Sequence, residues 1–126
     1  MVLATGLDNL RIYKMAEDLE VIVYEVIKGF PHDELYRTVD QIKRSSSSVS
    51  NNIAESYHKT TVKEKERILG IAKGELEETK RNILKSARKK FINEEKANEI
   101  ADQYTVLLKG INAYINFLRR NDSDKK

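Results

Sequence analysis

The chain has 126 residues, of which 40% are hydrophobic and 34% are charged, and its formal net charge is +3. This length suits one compact domain, and the high charged share favours amphipathic helices over a buried parallel sheet. The sequence holds no cysteine, one proline and five glycines. This composition excludes disulfide frameworks, thiolate zinc sites, cysteine nucleophiles and turn-rich all-β folds.

The sequence also bears on the location of the protein. No run approaches the length of about 18 apolar residues that a membrane-spanning helix needs. Residues 1–7 lack the basic and apolar regions of a signal peptide. We therefore expect a cytoplasmic protein that does not associate with a membrane.

The first predicted helix lies between Asp8 and Gly29, where apolar residues recur at three- and four-residue steps. We expect Gly29-Phe30-Pro31 to end it, because glycine caps helix C-termini and proline cannot continue a helix. Its apolar positions are Ile12, Met15, Ala16, Leu19, Ile22, Val23, Val26 and Ile27.

The second predicted helix starts near Asp33 or Glu34 and continues to Tyr57. It contains the run Ser-Ser-Ser-Ser-Val-Ser-Asn-Asn over residues 45–52, which local preference alone assigns to a loop. Because the apolar spacing continues through this run, we predict helix rather than linker. Inward serines let a neighbouring helix come close, and their hydroxyls are expected to bond to carbonyls four residues earlier.

The third and fourth predicted helices begin at recognisable caps. Thr61 with Glu64 forms a capping box, and Asn93 precedes two glutamates. The apolar set of the third helix is Ile68, Leu69, Ala72, Leu76, Ile83, Leu84 and Ala87. That of the fourth is Ala97, Ile100, Ala101, Tyr104, Leu107, Leu108, Ile111, Ile115 and Leu118.

Four helices joined by short connections predict an all-α, antiparallel, up-down-up-down four-helix bundle. We expect residues 1–120 to form this single domain and residues 121–126 to form a flexible polar tail. Tyr104, Tyr114 and Phe117 make the fourth helix apolar over a wide arc, which indicates self-association.

Four short motifs carry a resemblance to a known family: Phe30-Pro31-x-x-Glu34-x-Tyr36, Gln41-Ile42-Lys43-Arg44, Asn52-Ile53-Ala54-Glu55 and Ile71-Ala72-x-Gly74-x-Leu76-x-Glu78. Over about residues 7–118, the sequence resembles the S23-type four-helix-bundle proteins encoded in intervening sequences of 23S ribosomal RNA genes. It is similar also to the accessory proteins of diversity-generating retroelements. The resemblance implies a small bacterial bundle that assembles into a pentameric ring and binds RNA or other nucleic acid. The sequence departs from the family pattern at Ser50, Ser56, Lys59 and Glu75.

A polar strip follows one side of the second predicted helix, and two glutamates, Glu75 and Glu78, lie one turn apart on the third. One interpretation is an interhelix network that fixes helix register. The residues of this network are Gln41, Arg44, Asn52, Glu55 and Glu78. A second interpretation is that the strip lines a channel or groove in which Arg44 binds a phosphate. A third is that these side chains are simply exposed to solvent.

Positive charge is concentrated in the second half of the chain. Residues 1–60 hold seven Lys/Arg against nine Asp/Glu, whereas residues 61–126 hold sixteen against eleven. The densest run contains Lys80, Arg81, Lys85, Arg88, Lys89 and Lys90. These cations either complement the negative end of the helix dipole or form a nucleic-acid-binding edge, which a ring would repeat in every copy. Further candidates are Lys63, Lys65, Arg67, Arg119 and Arg120.

The residues give little support to catalysis or metal binding. A carboxylate-bridged di-iron bundle needs two Glu-x-x-His pairs, and the sequence holds one, Glu55-x-x-His58. We therefore predict no catalytic residue, metal or cofactor. The predicted function is a non-enzymatic homo-oligomer that binds structured RNA mainly through phosphates. The alternative is a scaffold protein that binds its own copies or another protein.

Overall fold

In a computed structural model, residues 6–122 are described, and they form four α-helices and no strand. The helices are α1 (Arg11–Ile27), α2 (Asp40–Tyr57), α3 (Val62–Arg88) and α4 (Glu94–Arg120). A short 3-10 turn, Leu7–Asn9, precedes α1. A 3-10 turn over His32–Glu34 and a π-helical turn over Leu35–Val39 lead directly into α2. The predicted start of the second helix at Asp33 or Glu34 therefore lies in this non-α lead.

Successive helices pack together, and the contacts of α3 show that it runs opposite to both α2 and α4. Between α2 and α3, Arg44 pairs with Glu78, while Lys65 near the start of α3 reaches the last turn of α2. Between α3 and α4, Lys80 reaches Thr105, and the last turn of α4 pairs with the first turns of α3. Because α1 contacts both α2 and α4, the helices close into a bundle. The predicted all-α four-helix fold is confirmed.

The predicted apolar stripes meet in one core. Its largest fully buried side chains include Leu19, Ile42, Leu69, Leu76, Ile100, Tyr104 and Leu107. Tyr104, a member of the predicted apolar stripe of the fourth helix, points into the bundle, so it is Tyr114 and Phe117 that extend the aromatic arc outward. Tyr114 is half-buried and Phe117 is exposed, and their rings stack with centroids 6.3 Å apart.

The serine-rich run is helical, as predicted from its apolar spacing. Ser45, Ser46 and Ser50 are buried, and their hydroxyls donate to carbonyls three residues earlier at 3.1 to 3.4 Å, rather than four as predicted. On the α3 side, the Thr79 hydroxyl lies 2.7 Å from Ser45 Oγ. On the α1 side, Ser50 Oγ donates to Glu20 at 2.6 Å. Small hydroxylated side chains therefore line both contacts of α2.

The helix ends agree with the predicted caps, with one difference. Thr61 accepts a bond from the Glu64 amide, and Asn93 accepts one from the Lys96 amide. The first helix ends before Gly29 as predicted, but this glycine does not have a positive φ. It is Lys90 that adopts the left-handed conformation, with φ 67°. The bonds Phe91 N to Ser86 O and Lys90 N to Ala87 O close a Schellman motif around it.

Replacing Lys90 with glycine should stabilise the protein by about 1 kcal/mol, because only glycine adopts this backbone conformation without a Cβ penalty. We expect the melting temperature to rise by about 3–5 °C. Lys89→Gly is the matched control, since it removes the same charge from a neighbouring residue whose φ is negative, at −84°. The control should lower the melting temperature. A fall in both variants would contradict this account of the helix end.

Parts of the predictions fall outside the described residues. These are residues 1–5, within the segment tested for signal-peptide character, and residues 123–126 of the predicted tail. The domain boundary at residue 120 stays a prediction. None of the helices between residues 6 and 122 combines the length and the apolar character needed to cross a membrane.

Candidate nucleic-acid interface

Three cations of the basic run form one row on the outer face of α3. Arg81, Lys85 and Arg88 are spaced by four and three residues, which places them on one side of the helix along about 10 Å of its axis. All three side chains are exposed. Within the described part of the chain, none of them forms an ion pair with a carboxylate. Their positive charge is therefore available to an anionic ligand.

The other members of the run have different surroundings. Lys80 is half-buried, and its Nζ donates to Thr105 Oγ1 on α4 at 2.7 Å. Lys89 and Lys90 lie beyond the end of α3, and Lys89 Nζ is 6.0 Å from the centroid of the Phe91 ring. The predicted run thus divides into an outer row, a lysine held against α4, and two exposed lysines at the helix end.

Two shallow depressions adjoin the row, and they share Leu84 and Arg88. One, of about 380 Å³, also contacts Arg81 and Lys85. The other, of about 450 Å³, extends to Lys90 and reaches Glu94 on α4. Beyond them, the surface becomes acidic with Glu94, Glu95, Glu99 and Asp102. The negative charge of these side chains opposes the approach of a polyanion to this part of α4.

Arg44 lies apart from this row, in the groove between α2 and α3. Its Nη2 is 3.0 Å from Glu78 Oε2, and its Nη1 is 3.9 Å from Glu75 Oε2. The side chain is 59% exposed, so water screens these ion pairs and their contribution to stability is small. Because two carboxylates already compensate the guanidinium, its surroundings match the predicted interhelix pairing better than a phosphate site.

The rest of the predicted network is not assembled across helices. Asn52 Nδ2 donates to Ser48 O at 2.8 Å within α2. Glu55 is paired with Lys59 one turn later at 3.8 Å, and Gln41 is exposed. Asn52 and Glu55 thus contact groups one turn away along the chain. Among the five predicted residues, Arg44 and Glu78 are the pair that spans the α2–α3 groove.

Most of the further cationic candidates are engaged in contacts. Lys65 Nζ donates to the carbonyls of Ser56 and Tyr57 at the end of α2, and partial burial lowers its pKa. Arg67 pairs with Glu64 and Arg119 with Glu66. Lys63 and Arg120 are exposed. Among residues 6–122, no three His, Asp or Glu side chains come close enough together to hold a metal ion.

Sequence reasoning missed two features of the surface. The acidic border on α4 carries a visible signal, since Glu95, Glu99 and Asp102 follow helical spacing. The second feature is Tyr24, whose ring centroid lies 4.8 Å from Lys28 Nζ and 5.4 Å from Lys43 Nζ. The four-residue step to Lys28 is readable from the sequence, but the contact with Lys43 depends on how α1 packs on α2.

Comparison with known proteins adds the family. The model of the 23S rRNA-intervening sequence protein family matches residues 8–113. A search of curated proteins finds no match. The matched span includes α1, α2 and α3 and most of α4. The four-helix fold and this match over most of the sequence agree, and the chain belongs to the 23S rRNA-intervening sequence protein family.

Proposed function

We propose that this protein is a non-enzymatic, self-associating bundle that binds structured RNA through the outer face of α3. One observation carries the proposal: Arg81, Lys85 and Arg88 form an exposed row without carboxylate partners in the described part of the chain. Lys89 and Lys90 extend the positive surface beyond the helix end. Arg44 is left out of the binding surface, because its guanidinium faces Glu75 and Glu78.

The chemistry of the row favours contacts with phosphates over contacts with bases. No aromatic residue contacts the two depressions beside it, so the row offers no ring on which a base stacks. Arginine and lysine side chains bind phosphate oxygens, and such contacts carry no sequence information. We therefore expect RNA binding that depends strongly on salt and weakly on sequence.

Assembly into a ring, with five copies as the family resemblance implies, strengthens this proposal. Three to five cations per protomer bind a polyanion weakly, and repetition of the face raises the local field and the avidity. Exposed apolar side chains on α3 and α4 offer surface for self-association, namely Ile71, Val106 and Phe117.

The proposal predicts a loss of RNA affinity on charge reversal. A structured RNA hairpin should bind the wild-type protein in a fluorescence anisotropy titration, and its affinity should fall at least about tenfold between about 50 and 200 mM salt, since each phosphate contact releases counterions. The double variant Lys85→Glu/Arg88→Glu should bind at least about tenfold more weakly at low salt. Lys14→Glu/Lys109→Glu is the matched control, because it changes the net charge equally at exposed positions on α1 and α4.

Equal affinities of the two double variants would overturn the RNA-binding proposal and favour the scaffold alternative. Light scattering on the same samples measures the assembly. A mass of one chain at micromolar concentration would contradict self-association. RNA would then bind only through the outer face of α3 in a single protomer.

A further inference from the structure

Two neighbouring clefts lie between α1 and α2, away from the basic row on α3. One, of about 320 Å³, runs along the groove between the helices and is floored by Ser46 and Ser47. The other, of about 210 Å³, reaches Pro31 and Leu35 in the connection between the helices. Tyr24 lines both clefts, together with Ile27 and Lys43. The tyrosine side chain thus lies where the two clefts meet.

Exposed apolar side chains concentrate in the same quarter of the molecule. Within residues 6–122, seven large hydrophobic residues are exposed, and four of them lie on α1 and on the lead into α2. These four are Val21, Tyr24, Leu35 and Tyr36. Val21 is 60% exposed and Tyr24 is 48% exposed, next to the serine floor of the groove. Small floor residues beside projecting apolar ones suit a protein segment laid into the groove.

The charged side chains of the clefts indicate which kind of protein segment would bind there. Lys28 and Lys43 both stand within 5.4 Å of the Tyr24 ring centroid. Lys28 is paired with Glu25 at 3.1 Å, whereas Lys43 has no carboxylate within 4.0 Å in the described part of the chain. The carboxylate in the clefts, Glu20, already accepts a bond from Ser50 at 2.6 Å. An uncompensated ammonium therefore borders an apolar pocket.

We propose that these clefts dock a protein partner through a segment that places an apolar side chain beside Tyr24 and a carboxylate on Lys43. The surroundings disfavour RNA at the same place. Asp33 and Asp40 are exposed on the lead into α2 and at its start, and residues 1–60 carry more acidic than basic side chains. A polyanion meets repulsion on this half of the bundle from several carboxylates, whereas a short segment with one or two carboxylates places its charge on Lys43, which has no ion pair in the described part of the chain.

Two matched peptides test the proposal on the full-length protein. The probe is a capped helical peptide of about 12 residues with leucines on one face and glutamates beside them, and in the control peptide lysines replace the glutamates. Nuclear magnetic resonance should show shifts at Tyr24, Lys43 and Ser47 with the glutamate peptide. Tyr24→Ala and Lys43→Glu should each weaken its binding by about tenfold or more, since a central aromatic residue and a paired charge dominate such contacts.

Tyr36→Ala is the control variant, because Tyr36 is exposed in the same quarter but does not line either cleft. Its affinity for the glutamate peptide should stay within about twofold of the wild-type value. Melting curves should show that all variants are folded. Equal binding of the lysine peptide, shifts outside the clefts, or no binding of the glutamate peptide at millimolar concentration would each overturn the proposal. An oligouridine that displaces the glutamate peptide would also overturn it, in favour of a nucleic-acid site.

Discussion

Tyr104→Phe should raise the free energy of unfolding by about 1–2 kcal/mol, although it removes a polar group from the core. Tyr104 is fully buried, and its hydroxyl has no hydrogen-bond partner among residues 6–122. Folding therefore strips water from this hydroxyl without replacing the bond that it loses. Phenylalanine keeps the ring and its packing and avoids that cost. Chemical denaturation monitored by circular dichroism measures the difference.

Tyr104→Ala provides the opposite control, because it leaves a cavity in the core. It should lower the free energy of unfolding by about 3–5 kcal/mol. A phenylalanine variant that is less stable than the wild type by more than about 1 kcal/mol would show that the hydroxyl has a partner in solution.

The stabilities of the wild type and of Tyr104→Phe should also depend differently on pH. Burial, and to a smaller degree the charge of Glu20, raises the pKa of Tyr104 above its ordinary value of 10.0. Because the folded protein holds this proton more tightly than the unfolded chain, the corresponding stability is complete below about pH 10 and is lost as the pH rises further. The wild type should therefore lose more stability than Tyr104→Phe above pH 10, by up to about 1.4 kcal/mol per pH unit. Parallel loss in the two proteins would contradict the buried position.

Ser45→Leu should lower the free energy of unfolding by about 2–3 kcal/mol, because the contact between α2 and α3 has no space for a larger side chain. Ser45 is fully buried, with the Thr79 hydroxyl 2.7 Å from its Oγ. Leucine is the better helix former, so local propensity by itself predicts a gain. Loss of stability would thus show that the close approach of α2 and α3 requires a small side chain at this position.

Asn51→Leu is the matched control within the same serine-rich run. Asn51 is exposed, so its replacement should change stability by less than about 0.5 kcal/mol. Urea titrations of both variants give the comparison. If Ser45→Leu were as stable as the wild type, the serines would not be needed for the spacing of α2 and α3.

Local features of the sequence were enough to predict the helices. The three- and four-residue apolar steps identified all four, and they continued through residues 45–52 where local preference favoured a loop. Thr61 and Asn93 predicted the starts of α3 and α4, because a helix cap is formed by residues only three positions apart. The family motifs were equally readable, since they are short stretches of consecutive residues.

The partners of polar side chains were decided by tertiary structure alone. Whether Arg44 meets Glu78, whether Lys80 reaches Thr105, and whether Lys43 stands beside Tyr24 depend on the rotation and axial position of one helix against another. Sequence periodicity fixes which face of a helix is apolar, but it does not fix these two quantities. Packing sets them, and packing also divided the basic run into an outer row, a lysine held against α4 and two exposed lysines at the helix end.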